Sequence, residues 1–177
     1  MRDVVGSLEA EFRRYKQLAE KALAQLDDEQ VNRGGPGGTN SVATIARHVA
    51  GNLQSRFTDF LTSDGEKPWR RRDTEFEPRV VARAELLAAW EEGFRTLLGT
   101  LAGLADEALA RTVRIRGQAL PVHEALHRSL AHLGYHVGQI VHLARSMKGD
   151  AWEFLSIPPG GSDAYNRNPT RERGPRA

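Results

Sequence analysis

Apolar residues recur at three- and four-residue steps in four separate stretches of the chain, which is the spacing of an amphipathic α-helix. The first stretch runs from about residue 4 to 29, and the second begins at an N-cap on Asn40 or Ser41. The third begins at about Arg83, and the fourth runs from about Val122 to Met147. Four such helices, with connections long enough for a crossover, predict an all-α four-helix bundle.

The connection after the second helix is long and has no helical pattern. Residues 62–79 contain a turn signal at Asp64-Gly65 and a proline at Pro68, which blocks a helix. Trp69 and Phe76 are costly to leave wholly in water, so we expect this loop to pack onto the bundle.

A shorter pattern precedes the fourth helix. Residues 112–116 alternate in polarity, Gly117-Gln118 is a turn signal, and residues 119–121 follow. This pattern predicts a short hairpin.

The amino-acid composition limits which kinds of functional site the chain can contain. The chain has 177 residues, 40% of them hydrophobic and 27% charged, as expected of one globular domain. It has no cysteine, which excludes a disulfide framework, a thiolate metal site and a cysteine nucleophile. Any metal ligands must therefore be His, Asp or Glu. The first residues have no apolar core of signal-peptide type and no stretch is long enough to span a membrane, so we expect a cytoplasmic protein.

The net charge of +2 comes from the C-terminal residues. Residues 166–177 contain four arginines and one glutamate, and the rest of the chain has 21 basic and 22 acidic residues, a net charge of −1. We therefore expect a folded domain over residues 1–165, a disordered basic tail over 166–177, and no nucleic-acid partner.

Three histidines are candidate metal ligands. His132 and His136 lie four residues apart on the fourth helix, which places their Cβ atoms ~6 Å apart on one face. His48 lies at the edge of the apolar stripe of the second helix, so the three could supply imidazole nitrogens to one ion. Imidazole suits Zn, Ni, Fe or Cu, of which we expect Zn or Ni. The alternative is three half-buried histidines that only pack and hydrogen-bond.

Other polar residues could serve such a site. Candidates to orient the histidines are Asn52, Ser55, Asp59, Tyr135 and Gln139. Arg56 and the run Arg70-Arg71-Arg72 could hold carboxylates of a substrate, with Arg72 preferred, and the loop with Trp69 could close over the ion. The alternative is that the arginines form a solvated charge run and Trp69 only covers the end of the bundle.

The histidine pattern resembles that of a known superfamily. A single histidine near the start of the second helix, and HxxxH followed by Gly-Gln-Ile on the fourth, are similar to the DinB (DinB/YfiT-like) superfamily. The stretches 48–52, 60–70 and 135–141 resemble a subfamily whose function is not established. The resemblance covers residues 1 to about 166 and implies a metal on His48, His132 and His136, with no role for His123, His127 or His142.

The resemblance also implies a class of activity. Characterised relatives include metal-dependent transferases and isomerases that use low-molecular-weight thiols, such as bacillithiol S-transferases and mycothiol-dependent maleylpyruvate isomerase. Relatives are often homodimers, so we also expect a homodimer. We therefore expect a divalent-metal-dependent enzyme that acts on a small molecule, with a low-molecular-weight thiol as a candidate cofactor. The alternative is a non-catalytic stress-response or binding protein with a structural or vestigial metal site.

Overall fold

The computed structural model describes residues 1–170, which are mostly helical. Within this range lie six α-helices and one two-stranded antiparallel sheet. The helices are α1 Asp3–Ala24, α2 Asp28–Asn32, α3 Val42–Phe57, α4 Arg83–Ala102, α5 Val122–Lys148 and α6 Ser162–Asn166, and the strands are β1 Thr112–Ile115 and β2 Gln118–Pro121. Short 3₁₀ segments lie at Pro36–Gly38, Arg72–Glu75, Asp106–Ala110 and Gly149–Ala151.

The first predicted helix is in fact two helices. α1 ends at Ala24, and α2 begins after Asp27, whose carboxylate accepts a hydrogen bond from the backbone N–H of Gln30. The Gln30 side chain in turn accepts from the Asp27 N–H, which completes a capping box. This reciprocal cap starts a new helix where the sequence predicted the first helix to continue to about residue 29.

The other three predicted helices begin where the pattern placed them. Ser41 caps α3 by accepting from the Thr44 N–H, α4 starts at Arg83 and α5 starts at Val122. α3 is shorter than its apolar stripe, because the helix ends at Phe57 and Asp59 takes a positive φ of 48°. Phe60 still reaches the core from the turn, with its ring 5.1 Å from that of Phe57.

Glycines mark the closest approaches between the long helices. A Cβ on Gly93 of α4 would lie 3.0 Å from the backbone of Ala50, so α3 and α4 touch here without an intervening side chain. A Cβ on Gly134 of α5 would lie 3.3 Å from the Tyr15 ring of α1, whereas one on Gly138 would have no neighbour within 4 Å. α3 and α5 also pack against each other, which brings His48 beside the fourth predicted helix.

The predicted hairpin is present, with its turn one residue earlier than predicted. β1 and β2 pair antiparallel from Thr112 opposite Pro121 to Ile115 opposite Gln118. The turn residues are Arg116 and Gly117, with φ of 54° and 75°, a pair typical of a type I′ turn.

The long loop packs along α3, as predicted, and also reaches the hairpin. Ser55 donates to the carbonyl of Gly65 at 2.7 Å, and Arg47 donates to the carbonyl of Glu75 at 2.7 Å. Asp64 accepts from the backbone N–H groups of Arg116 and Gly117. This loop therefore joins α3 to the turn of the hairpin.

Two expectations concern Trp69 and the end of the folded domain. Trp69 is 53% exposed, so about half of its surface is covered and it is not left wholly in water. The expected domain end at residue 165 falls within α6, and residues 171–177 of the expected tail lie outside the described residues.

Among residues 1–170, no helix has both the length and the apolar content to cross a membrane.

Candidate metal centre

The structure brings His48, His132 and His136 together. The Nε2 atom of His132 lies 3.2 Å from Nε2 of His48 and 3.1 Å from Nε2 of His136. One ring nitrogen from each residue lies within 4.8 Å of the other two. Nitrogens on a tetrahedral ion with bonds of about 2.0–2.1 Å would be about 3.3 Å apart. The three side chains are therefore close to the arrangement that one ion requires.

Two of the imidazoles are oriented by hydrogen bonds on their other nitrogen. Nδ1 of His48 donates to Oε2 of Glu75 at 2.8 Å, and Nδ1 of His136 donates to Oε1 of Gln139 at 2.8 Å. A proton on Nδ1 leaves a lone pair on Nε2, the atom that faces the other histidines. The donor set and its tautomers therefore fit a divalent transition metal.

Glu75 is itself held by a buried arginine. Arg70 donates from Nε to Oε1 at 2.8 Å and from Nη2 to Oε2 at 2.9 Å, and its side chain is only 2% exposed. Burial acts to raise the pKa of Glu75, but the hydrogen bonds from His48 and Arg70 outweigh burial and lower it. The carboxylate is therefore ionised at neutral pH and remains an acceptor for His48.

A glycine makes room for this carboxylate. Gly51 lies one turn after His48 on α3, and a Cβ at Gly51 would overlap Oε1 of Glu75. Any other residue at this position would displace the carboxylate or itself.

Burial favours the neutral form of His132 and His136. Burial, followed by the neighbouring His136 and His48, lowers the pKa of His132 to about 4. Burial also lowers the pKa of His136. Neutral imidazole is the form that binds metal ions, so His132 and His136 can bind at neutral pH without losing protons.

Not every predicted partner of the histidines touches them. Gln139 contacts His136, and the Tyr135 ring lies 5.0 Å from the His136 ring although this side chain is 65% exposed. Ser55 instead holds the loop at Gly65. Asp59 is exposed beyond the end of α3.

A cavity of about 590 Å³ opens beside His48 and His132. The predicted residues Asn52, Arg56 and Arg72 line it. Its other lining residues are Arg70 from the loop, Ile115, Arg116, Gln118, Ala119 and Leu120 from the hairpin, and Glu124, Arg128 and Ser129 from α5. This volume is in the range of small-molecule sites.

The loop reaches the histidines through residues other than the predicted Trp69. Trp69 is half exposed and is not among the residues that line the cavity. Phe76 packs against His48, with ring centroids 4.9 Å apart, next to Glu75. Sequence reasoning missed Glu75 and Phe76, because in the sequence Glu75 is one of several acidic residues that follow the arginine run.

The remaining histidines lie outside the cluster. Nδ1 of His123 donates to the carbonyl of Leu109 at 3.0 Å, and the His127 ring lies 6.3 Å from the His123 ring. His142 is exposed on α5. Within residues 1–170, only His48, His132 and His136 form a group of three side chains able to hold one ion.

Comparison with known proteins places the chain in a family but gives no activity. Residues 2–161 match the model of the family described as "Protein of unknown function (DUF1572)". No curated protein matches the sequence.

Proposed function

We propose that this chain, which belongs to the family described as a protein of unknown function (DUF1572), is a metal-dependent enzyme that acts on a small molecule. We assign it to the DinB superfamily and interpret its four long helices as the DinB-like bundle. The proposed ion is a divalent transition metal, zinc or nickel, bound by His48, His132 and His136.

The observation that carries this proposal is the convergence of three Nε2 atoms beside a cavity. The 3.1 and 3.2 Å separations suit one ion, and His48 and His132 both line the 590 Å³ space. Three protein ligands leave a position open for water or substrate, as in catalytic zinc sites, whereas structural sites are closed by a fourth ligand.

The residues around the histidines orient them and pack against them. Glu75 and Gln139 orient His48 and His136, and Arg70 keeps Glu75 ionised. Phe76 packs against the His48 ring. A bound metal would supply Lewis acidity and stabilise a thiolate or hydroxide at neutral pH.

The resemblance to the DinB superfamily suggests the reaction class. A low-molecular-weight thiol would be the co-substrate and an electrophilic small molecule its acceptor, so that the protein would be an S-transferase. Arg56 and Arg72 line the same cavity as His48, where such a substrate would bind.

The experiment is metal analysis of untagged protein followed by turnover assays with a panel of low-molecular-weight thiols and a chromogenic electrophile. We expect about one metal ion per chain, lost in His132→Ala but kept in His127→Ala, a matched change on the exposed side of the same helix. Thiol-dependent turnover should disappear with the metal. Metal-dependent thermal stability without any turnover would instead support the non-catalytic alternative.

A further inference from the structure

The wall of the cavity beside the histidines carries an excess of positive charge. Five arginines and one carboxylate line it: Arg56, Arg70, Arg72, Arg116, Arg128 and Glu124. Arg56 and Arg116 both contact Glu66, and Arg70 contacts Glu75. When Glu66, Glu75 and Asp73, the partner of Arg72, are included, five arginines face four carboxylates, which leaves one positive charge in excess.

Two of these arginines have little to neutralise them. Arg128 lies on α5, and its side chain makes no hydrogen bond or ion pair with any of residues 1–170. Arg72 lies over the Phe76 ring at 5.0 Å, and its nearest carboxylate, on the fully exposed Asp73, is 3.5 Å away. An ion pair between exposed groups contributes little, so both guanidinium groups remain available to a ligand.

Arg70 adds a buried donor to the same wall. Its Nε and Nη2 atoms are used by Glu75, but Nη1 is buried and has no acceptor among residues 1–170. Buried donors are almost always paired in folded proteins, and an unpaired one on a charged group is costly. Because Arg70 also lines the cavity, a ligand bound there can offer Nη1 the acceptor that residues 1–170 do not supply.

We propose that this cavity binds the anionic group, a carboxylate or a phosphate, of a small organic molecule. Arg128, Arg72 and the free Nη1 of Arg70 hold the anion, since guanidinium groups match both oxyanions in geometry and charge. The apolar side chains of Ile115, Ala119 and Leu120 on the hairpin accept the short hydrocarbon part of the same molecule. The anion's role as part of a substrate rests on the proposed function, but the arginine site itself requires no metal.

The test is isothermal titration calorimetry on metal-free protein at low ionic strength, with succinate, inorganic phosphate and the uncharged succinamide as probes. We expect one or both anions to bind and succinamide not to bind. Separate titrations with succinate and with phosphate show which oxyanion the site prefers. Added salt should weaken the interaction.

Three variants locate the site. Arg128→Gln should weaken anion binding about tenfold, the value of one charge-assisted contact. Arg145→Gln, an identical change at an exposed position ~25 Å further along α5, should leave binding unchanged. Glu124→Gln removes the one carboxylate among the lining residues and should tighten binding.

Failure of this proposal is separable from failure of the metal proposal. If neither anion binds to metal-free protein, or if Arg128→Gln and Arg145→Gln bind equally well, the anion site is wrong whatever the metal content. Metal analysis of the same preparations decides the histidine site independently. Arg128 is exposed, so its variant should melt at the temperature of the parent protein, and a loss of affinity will report on binding alone.

Discussion

Glu75→Gln tests whether the carboxylate behind His48 organises the metal centre. The substitution keeps the size of the side chain and removes its charge. A Gln carbonyl can still accept from Nδ1 of His48, but its amide nitrogen would then face Arg70, which also needs an acceptor. The Nε–H of Arg70 would lose its acceptor, although Nη2 could still donate to the same carbonyl as His48.

Two separate losses follow from the geometry. Replacing the outer partner of a metal ligand lowers metal affinity by roughly 10–100-fold, or about 1.4–2.7 kcal/mol, and here His48 loses its charged acceptor. Arg70, only 2% exposed, loses the carboxylate that neutralises it. Breaking a buried ion pair on one side costs ~3–5 kcal/mol, so the free energy of unfolding of the metal-free protein should fall by about that amount.

Glu66→Gln is the matched control. Glu66 lies in the same loop and also contacts two arginines, Arg56 and Arg116, but no histidine. Competition with a chelator of known zinc affinity measures the first effect, and urea denaturation of metal-free protein measures the second. Unchanged zinc affinity in Glu75→Gln, or an equal loss in both variants, would refute the role given to this carboxylate.

Three further predictions follow from single positions. Gly51→Ala should displace the Glu75 carboxylate and weaken zinc binding in the same competition assay, while Gly6→Ala, at an open position on α1, should not. Gly93→Ala should destabilise the protein by ~1–3 kcal/mol in urea denaturation, because the new Cβ meets the Ala50 backbone at 3.0 Å. The pKa of His132 lies at about 4 in the folded chain and returns to about 6.5 on unfolding, so the unfolded state binds more protons between these values. The metal-free protein should therefore lose stability as pH falls from 6.5 to 4, and His132→Gln should reduce that slope.

Local patterns were sufficient to predict the long helices and the proximity of the histidines. The positions of α3, α4 and α5 follow from apolar spacing, because burying one face of a helix imposes a period of 3.6 residues. His132 and His136 share a face of α5 for the same reason, and His48 lies at the edge of the buried face of α3. Once α3 and α5 pack against each other, these three side chains have to meet.

The features that the sequence analysis did not predict depend on a competing helix cap or on tertiary contacts. The break between α1 and α2 depends on the reciprocal cap of Asp27 and Gln30, which starts a new helix before the end predicted near residue 29. The role of Glu75 depends on the path of a loop, and that path is set by contacts distant in sequence, such as Arg47 with the Glu75 carbonyl. No spacing rule connects residue 75 to His48, so this partner could be found only in the folded chain.

The same loop links the proposed metal centre to the proposed anion site. At one end Asp64 accepts from the N–H groups of Arg116 and Gly117 and so holds the hairpin that forms one wall of the cavity. At the other end Glu75 holds His48 and Arg70. One segment therefore contacts both the hairpin wall of the cavity and the residues that orient His48.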